Sequence, residues 1–194
     1  MENSVKKINV RFKLLDNAAT MPTYAHDGDI GMDMKAISVE YDELNDVYIY
    51  HTGIAFETDY NIGAFLFPRS SIYKVNAYLT NSVGVVDSAI YRGEIIFCYK
   101  TTVSTYERAN MVGIKSYMEA KLKGLSEEEA YKEYEKTKMN IYEMTKILEF
   151  APYKVGDKIG QLVVFERNEI VPSIVEISSS SVRGANGFGS TDVK

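Results

Sequence analysis

The residues of this chain whose types and spacing suit chemistry are aspartates, arginines and hydroxyls, and they fall in five short stretches. In Asp27-Gly28-Asp29-Ile30-Gly31-Met32-Asp33, Asp29 and Asp33 stand four apart around a glycine. Such acids can hold a hard cation, or they can simply form an Asp-rich turn. In Pro68-Arg69-Ser70-Ser71 an arginine sits beside two hydroxyls after an apolar run. That is a phosphate hook, because the guanidinium clamps oxygens while the hydroxyls donate; the plainer alternative is a polar turn with an ion-paired arginine. Asn81-Ser82-Val83-Gly84-Val85-Val86-Asp87, followed by Tyr91-Arg92-Gly93-Glu94, closes an apolar strand on an aspartate. A partly desolvated Asp87 can act as general base toward water, and Tyr91 offers a flat ring to a sugar or base; the alternative is a hairpin with an Asp turn. Gly156-Asp157-Lys158-Ile159-Gly160-Gln161-Leu162 reads by itself as a hairpin turn before a strand. Arg183-Gly184-Ala185-Asn186-Gly187-Phe188-Gly189-Ser190-Thr191 exposes backbone amides to an anion and carries a ring that can stack on a base. It lacks the Walker spacing, and glycine-rich tails are often only flexible.

Composition narrows the classes these stretches can serve. The chain has 194 residues, 45% hydrophobic and 25% charged, which is ordinary globular usage. Its net charge of −5 argues against a surface devoted to nucleic acid. A few arginines in a cleft still bind a small phosphate ligand against the global sign. No apolar run approaches the length of a membrane helix, and the first ten residues lack the apolar core of a secretory signal. The single cysteine, Cys98, rules out an internal disulfide and points to a reducing, cytoplasmic compartment. With His26 and His51 it cannot make a standard zinc site.

The elements that must position the five stretches are mostly strands. Val10, Phe12 and Leu14 alternate with charged residues. Residues 47–56, 62–67, 94–99, 158–165 and 170–177 are runs of Ile, Val, Tyr and Phe bounded by turn residues. Many short strands without intervening helices predict an antiparallel barrel or jelly roll. Residues 105–148 differ. Met111, Ile114, Met118, Leu122 and Leu125 recur at helical steps, as do Ala130, Tyr134, Ile141, Met144 and Leu148, with Thr137 in the gap. Gly124 suits a helix C-terminus, and Ser126 with Glu129 is a capping box that starts a second helix at Glu127. Glu128 and Lys132 can pair one turn apart. The expectation is one mainly β domain over residues 1–194, with a helical hairpin inserted at about 103–148 and a mobile C-terminal arm at about 178–194.

In their order and spacing the five stretches resemble the five motifs of the trimeric dUTP diphosphatase (dUTPase) family, over residues 5–100 and 150–191. The insert is not covered; some phage members of that family carry an insert at this point, and some act on repressors. The resemblance implies a β jelly roll that assembles as a homotrimer with its sites between subunits. It implies hydrolysis of dUTP to dUMP and pyrophosphate with Mg²⁺, in the cytoplasm, or the host cytoplasm for a phage enzyme. By the same resemblance Asp87 deprotonates the attacking water and Asp33 holds Mg²⁺ through its water shell. Arg69, Ser70, Ser71 and Gln161 contact phosphates. The backbone of Asn81, Val85 and Val86 reads uracil, and Tyr91 packs under the deoxyribose and excludes a 2′-hydroxyl. Arg183 reaches the γ-phosphate, Phe188 covers the base, and Gly189, Ser190 and Thr191 add donors.

The chain departs from the family pattern in places. Three residues, Ser88-Ala89-Ile90, separate Asp87 from Tyr91, one more than the family usually has. Asn186 and Asp192 stand where glycines are common, and Gly160 replaces a usual alanine. Two other readings compete with dUTP hydrolysis. One is a dCTP deaminase of the same fold, disfavoured by the Gly-Phe-Gly-Ser-Thr tail and the Asp87 segment. The other is a regulatory module that binds a protein partner through the insert. No stable nucleic-acid or membrane association is expected.

Overall fold

The computed structural model describes residues 7–59, 61–87, 90–141 and 148–174. Among them are ten strands and two α-helices. The strands are β1 (Arg11–Leu14), β2 (Met32–Lys35), β3 (Ser38–Asp42), β4 (Val47–His51), β5 (Ile54–Glu57), β6 (Ile62–Pro68), β7 (Ala77–Leu79), β8 (Gly84–Val86), β9 (Ile96–Thr101) and β10 (Lys158–Glu166). They form two four-stranded antiparallel sheets, β2-β10-β6-β8 and β3-β4-β9-β7, and a short β1-β5 pair. The expected mainly β fold with a helical insertion is therefore the observed one.

The two larger sheets enclose one core. Tyr48, Tyr50, Phe97 and Tyr99 come from one sheet, and Met34, Leu66, Ile159 and Leu162 from the other; all are buried. Tyr50 donates to the Tyr153 carbonyl (2.9 Å) and Tyr99 to the Ile159 carbonyl (2.6 Å), so these two rings enter the core with their polar tips paired, whereas the buried Tyr153 hydroxyl has no hydrogen-bond partner. Gly160 marks the closest approach of the sheets, because a Cβ there would lie 2.1 Å from the Phe97 ring. Its replacement of the family's alanine is thus matched to the large ring opposite. Restoring the alanine is expected to cost about 1–3 kcal/mol from overpacking. A thermal melt of Gly160→Ala checks this, and Phe97→Leu in the same chain should recover part of the loss.

The predicted strand at 47–56 is two strands. The break at Thr52-Gly53 lets the chain leave one sheet for the β1-β5 pair, and Thr52 anchors the corner by donating to the Ile95 carbonyl at 2.6 Å. The strand expected from residue 94 begins at Ile96. The strand expected at 170–177 is absent from residues 170–174, where Ile170, Val171 and Ile174 are exposed; residues 175–177 lie outside the described residues.

The insert is a helical hairpin of α1 (Thr105–Leu122) and α2 (Glu127–Ile141). Both starts carry capping boxes, Ser104 with Glu107 and the expected Ser126 with Glu129. Gly124 takes a positive φ after the end of α1, and the Glu128–Lys132 pair forms at 2.7 Å on the exposed face. The apolar stripe predicted for α1 does not face the seam. Met111, Ile114, Met118 and Leu122 are all exposed, Leu122 at 88%. Instead Ala109, Gly113, Ser116 and Ala120 face α2, and small residues let the helices close on Tyr134 and Ala130. Tyr134 donates to Asn110 (3.0 Å) and Thr137 to Ser116 (3.0 Å) across that seam. Hydrogen bonds and close backbone approach, rather than the large side chains, hold the pair. The hairpin meets the β body at its base, where Thr105 donates to Asp46 at 2.8 Å. No helix among the described residues is long and apolar enough to cross a membrane.

Candidate active site

Four of the five stretches converge on one sheet. β2 and β10 pair so that Asp33 lies directly across from Gln161. On its other side β10 pairs with β6, which ends at Pro68 and delivers Arg69. β6 in turn pairs with β8, which ends just before Asp87. Antiparallel pairing therefore brings Asp33, Gln161 and Arg69 to one end of the sheet, while the Ala64–Val86 register sets Asp87 toward the opposite end of β6.

Asp33 is the centre of the first cluster. Arg69 Nε and Gln161 Nε2 each donate to its Oδ1 at 3.2 Å, and Lys158 Nζ lies 2.7 Å from Oδ2. The Asp33 side chain is only 2% exposed, against 32% for Arg69 and 37% for Lys158. Burial pushes its carboxyl up, but Lys158, Gln161 and Arg69 together outweigh that and hold it below the usual carboxylate range. One carboxylate between two cations leaves a local charge of about +1 in a chain that is acidic overall. Such a centre favours anions.

Ser70 and Ser71 open the 3-10 turn Ser70–Lys74 immediately after Arg69; Ser70 is exposed and Ser71 half-buried. Asp29, the other acid of the first stretch, belongs to a turn: its carboxylate accepts from the His26 amide at 2.9 Å. It takes no part in the Asp33 cluster.

The second cluster lines a cavity of about 430 Å³ whose walls include Asn81, Val85, Val86, Asp87, Tyr91 and Glu94. The alternative of a hairpin is not what the described residues form here: β7 pairs with β9 and β8 with β6, so the chain turns a corner between the two sheets. Ser82 makes that corner with a positive φ of 59°. Asp87 is exposed, and its backbone carbonyl accepts from the amides of Ile90 (3.0 Å) and Tyr91 (2.9 Å). These two bonds hold Tyr91 close to Asp87; Ser88 and Ala89 lie outside the described residues. Arg183, Phe188, Gly189, Ser190 and Thr191 also lie outside them.

The dUTPase family model matches residues 17–108, the span that holds the first three stretches. Over that span the chain is similar to the dUTPase family. A deoxyuridine 5′-triphosphate nucleotidohydrolase of Alkaliphilus metalliredigens is 39% identical over 88 residues, which is 45% of this chain and 60% of that protein. The enzyme of the same name from Hahella chejuensis is 29% identical over 191 residues, 96% of each chain. Among solved structures, the dUTPase of Staphylococcus bacteriophage 80alpha with dUpNHpp superposes at a TM-score of 0.58 with 19% identity, covering 95% of this chain and 99% of that one. The dUTPase of phage phi11 of S. aureus, described with a species-specific insert, gives 0.53 with 16% identity, covering 89% and 99%. At those identities the likeness is one of fold.

Set against the dUTPase motifs, three contributors escape sequence reading. Lys158 belongs to the Asp33 cluster, and Glu94 and His51 form a pair beside the cavity. Lys158 escapes because strict alternation puts residues 158 and 161 on opposite faces of a strand. The β10 ladder slips between Lys158 and Gly160, and that irregularity brings both side chains to Asp33. No residue type signals the slip beforehand except the glycine itself.

Proposed function

We propose that the chain hydrolyses dUTP to dUMP and pyrophosphate, with Asp87 as the base that activates the attacking water. The observation that carries this reading is that one sheet holds both an anion-seeking cluster and, toward its other end, a cavity ending on Asp87, two halves that a trimer with its sites between subunits would bring together. Arg69, Gln161, Ser70 and Ser71 would receive the phosphates, and Asn81, Val85 and Val86 the base, with Tyr91 against the sugar. Donors set against the spreading charge of a triphosphate supply the electrostatic part of the rate. Arg183, Phe188, Gly189, Ser190 and Thr191 would close over the nucleotide from the tail, excluding water and completing the donors.

Among the described residues no group of three or more acids, histidines or cysteines can hold a metal ion. Asp33 Oδ1 accepts from Arg69 and Gln161, while its buried Oδ2 has Lys158 Nζ at 2.7 Å but no hydrogen-bond partner, and a single carboxylate oxygen beside a lysine does not fit a resident Mg²⁺. The substrate in this reading is Mg·dUTP, with the ion kept by phosphate oxygens and water as Mg²⁺ prefers. Asp33 would meet that water shell through Oδ2 as an incoming phosphate draws Lys158 away. Pyrophosphate release from dUTP with Mg²⁺, compared with UTP, dTTP and dCTP, tests the reading. Intact dUTP would end it, and ammonia release from dCTP would replace it with the deaminase.

A homotrimer is part of the same proposal. It is supported by the exposed, β-prone residues Ile170, Val171 and Ile174, which a neighbouring subunit's edge would pair. A second reading concerns the insert. Its exposed Met111, Ile114, Met118 and Leu122 support a role as a protein-contact surface beside catalysis. Replacing residues 105–146 by a short Gly/Ser linker is expected to leave dUTP turnover within about threefold, since long surface insertions cost little entropy. Loss of a specific partner with turnover intact would make the hairpin a contact device, whereas collapse of the trimer would make it structural.

A further inference from the structure

Glu94 is an acid in the wall of a cavity we read as a nucleotide site, where a free carboxylate would repel phosphates. Both of its oxygens are engaged elsewhere. Oε1 accepts from the Gly53 amide at 2.6 Å, and Oε2 lies 2.8 Å from His51 Nδ1. His51 ends β4, and its Nε2 stands 3.6 Å from Glu40 of β3. Its ladder partners, Ser38 of β3 and Ile96 of β9, carry no charge. Two carboxylates thus face one imidazole and favour its protonated form, first through the Glu94 hydrogen bond, against the opposing effect of burial.

The other end of Glu94 holds Tyr91. The Tyr91 hydroxyl donates to the Glu94 carbonyl at 2.9 Å, and the ring folds back over Gly93, where a Cβ would meet that hydroxyl at 2.3 Å. Three residues between Asp87 and Tyr91 leave the ring's place less constrained by loop length alone. The grip on residue 94 supplies the missing constraint.

We propose that Glu94, held by His51 and the Gly53 amide, is the positioning residue for Tyr91 and sets how strictly the cavity excludes a 2′-hydroxyl. This rests on the dUTPase reading of the same cavity. The test is calorimetric binding of dUpNHpp and UpNHpp, with Mg²⁺, to the wild-type chain and to Glu94→Ala, Glu94→Gln, Tyr91→Phe and the Glu94→Ala/Tyr91→Phe double variant. Wild type should prefer the deoxynucleotide strongly. Glu94→Ala should lower that preference about tenfold, the scale of one lost charged hydrogen bond, mainly by admitting the ribonucleotide. Glu94→Gln, which can still accept from Gly53, should fall between. Tyr91→Phe loses the same anchor, so the double variant should equal a single one.

Raising pH through the elevated His51 value should erode the preference in wild type and leave Glu94→Gln flat. An unchanged preference in both Glu94 variants, or additive effects in the double variant, overturns the proposal. If Glu94→Ala does not fold, Glu94→Gln and its pH response decide alone. Wild-type protein that binds neither nucleotide overturns the dUTPase reading itself, an outcome separable from the first because no variant is needed to see it.

Discussion

Asp87→Asn should lower dUTP turnover by about 10²–10⁴-fold, the usual worth of a positioned general base. The substitution keeps the shape and most of the hydrogen bonding of the side chain but removes its ability to take a proton. Asp87 is exposed, and the bonds that shape its turn are made by its backbone carbonyl. Stability should therefore change by less than about 0.5 kcal/mol, as for other surface sites. Nucleotide affinity should also hold, because phosphate binding falls to the other cluster. Pyrophosphate release in single-turnover and steady-state assays, beside calorimetric binding of dUpNHpp, separates the two effects. A variant that retains a tenth of wild-type turnover would remove Asp87 from the role of base. A variant that loses binding in parallel would make it a substrate contact.

Asp33→Asn should be the most damaging single change to the fold near the site. It leaves Arg69 and Lys158 facing each other beside a buried neutral amide. Breaking a buried ion pair on one side commonly costs about 3–5 kcal/mol. Here both cations are about a third exposed and can rehydrate, so the expected loss is roughly 2–3 kcal/mol. For a chain of this size that corresponds to a melting point lower by about 5–10 °C. The pH dependence follows from the depressed Asp33 carboxyl. Its contribution is present above the unfolded value of about 3.9 and is lost as pH falls through the lower folded value. Wild type should accordingly lose stability on its acid limb, and the asparagine variant should lose less there. Equal melting points for the two proteins at pH 7 would show that Arg69 and Lys158 do not depend on Asp33. Affinity for Mg·dUpNHpp should fall as well, because the arginine and lysine lose the group that orients them.

The kinds of element, and the chemistry the chain can offer, were legible without coordinates. Strands announced themselves as Ile, Val, Tyr and Phe runs between turn residues. The start of α2 was announced by Ser126 and Glu129, because capping is decided within four residues. The proposed site residues Asp87, Arg69 and Asp33 lie at or near strand ends, where turn residues mark them in the sequence, whereas Gln161 sits inside β10 and is singled out by the family resemblance. Tertiary structure decided everything that depends on which faces meet. In α1 the large apolar residues Met111, Ile114, Met118 and Leu122 form a convincing stripe, yet Gly113 and Ala109 meet α2. Close approach of two backbones rewards small residues, and helical periodicity records spacing but not the size of the partner. Likewise Lys158 joins Asp33 only through a slip in the β10 ladder, and Glu94 finds His51 only because β4 and β9 are neighbours. A sequence carries the period of a strand in its own residues, whereas register and neighbour are properties of two strands at once.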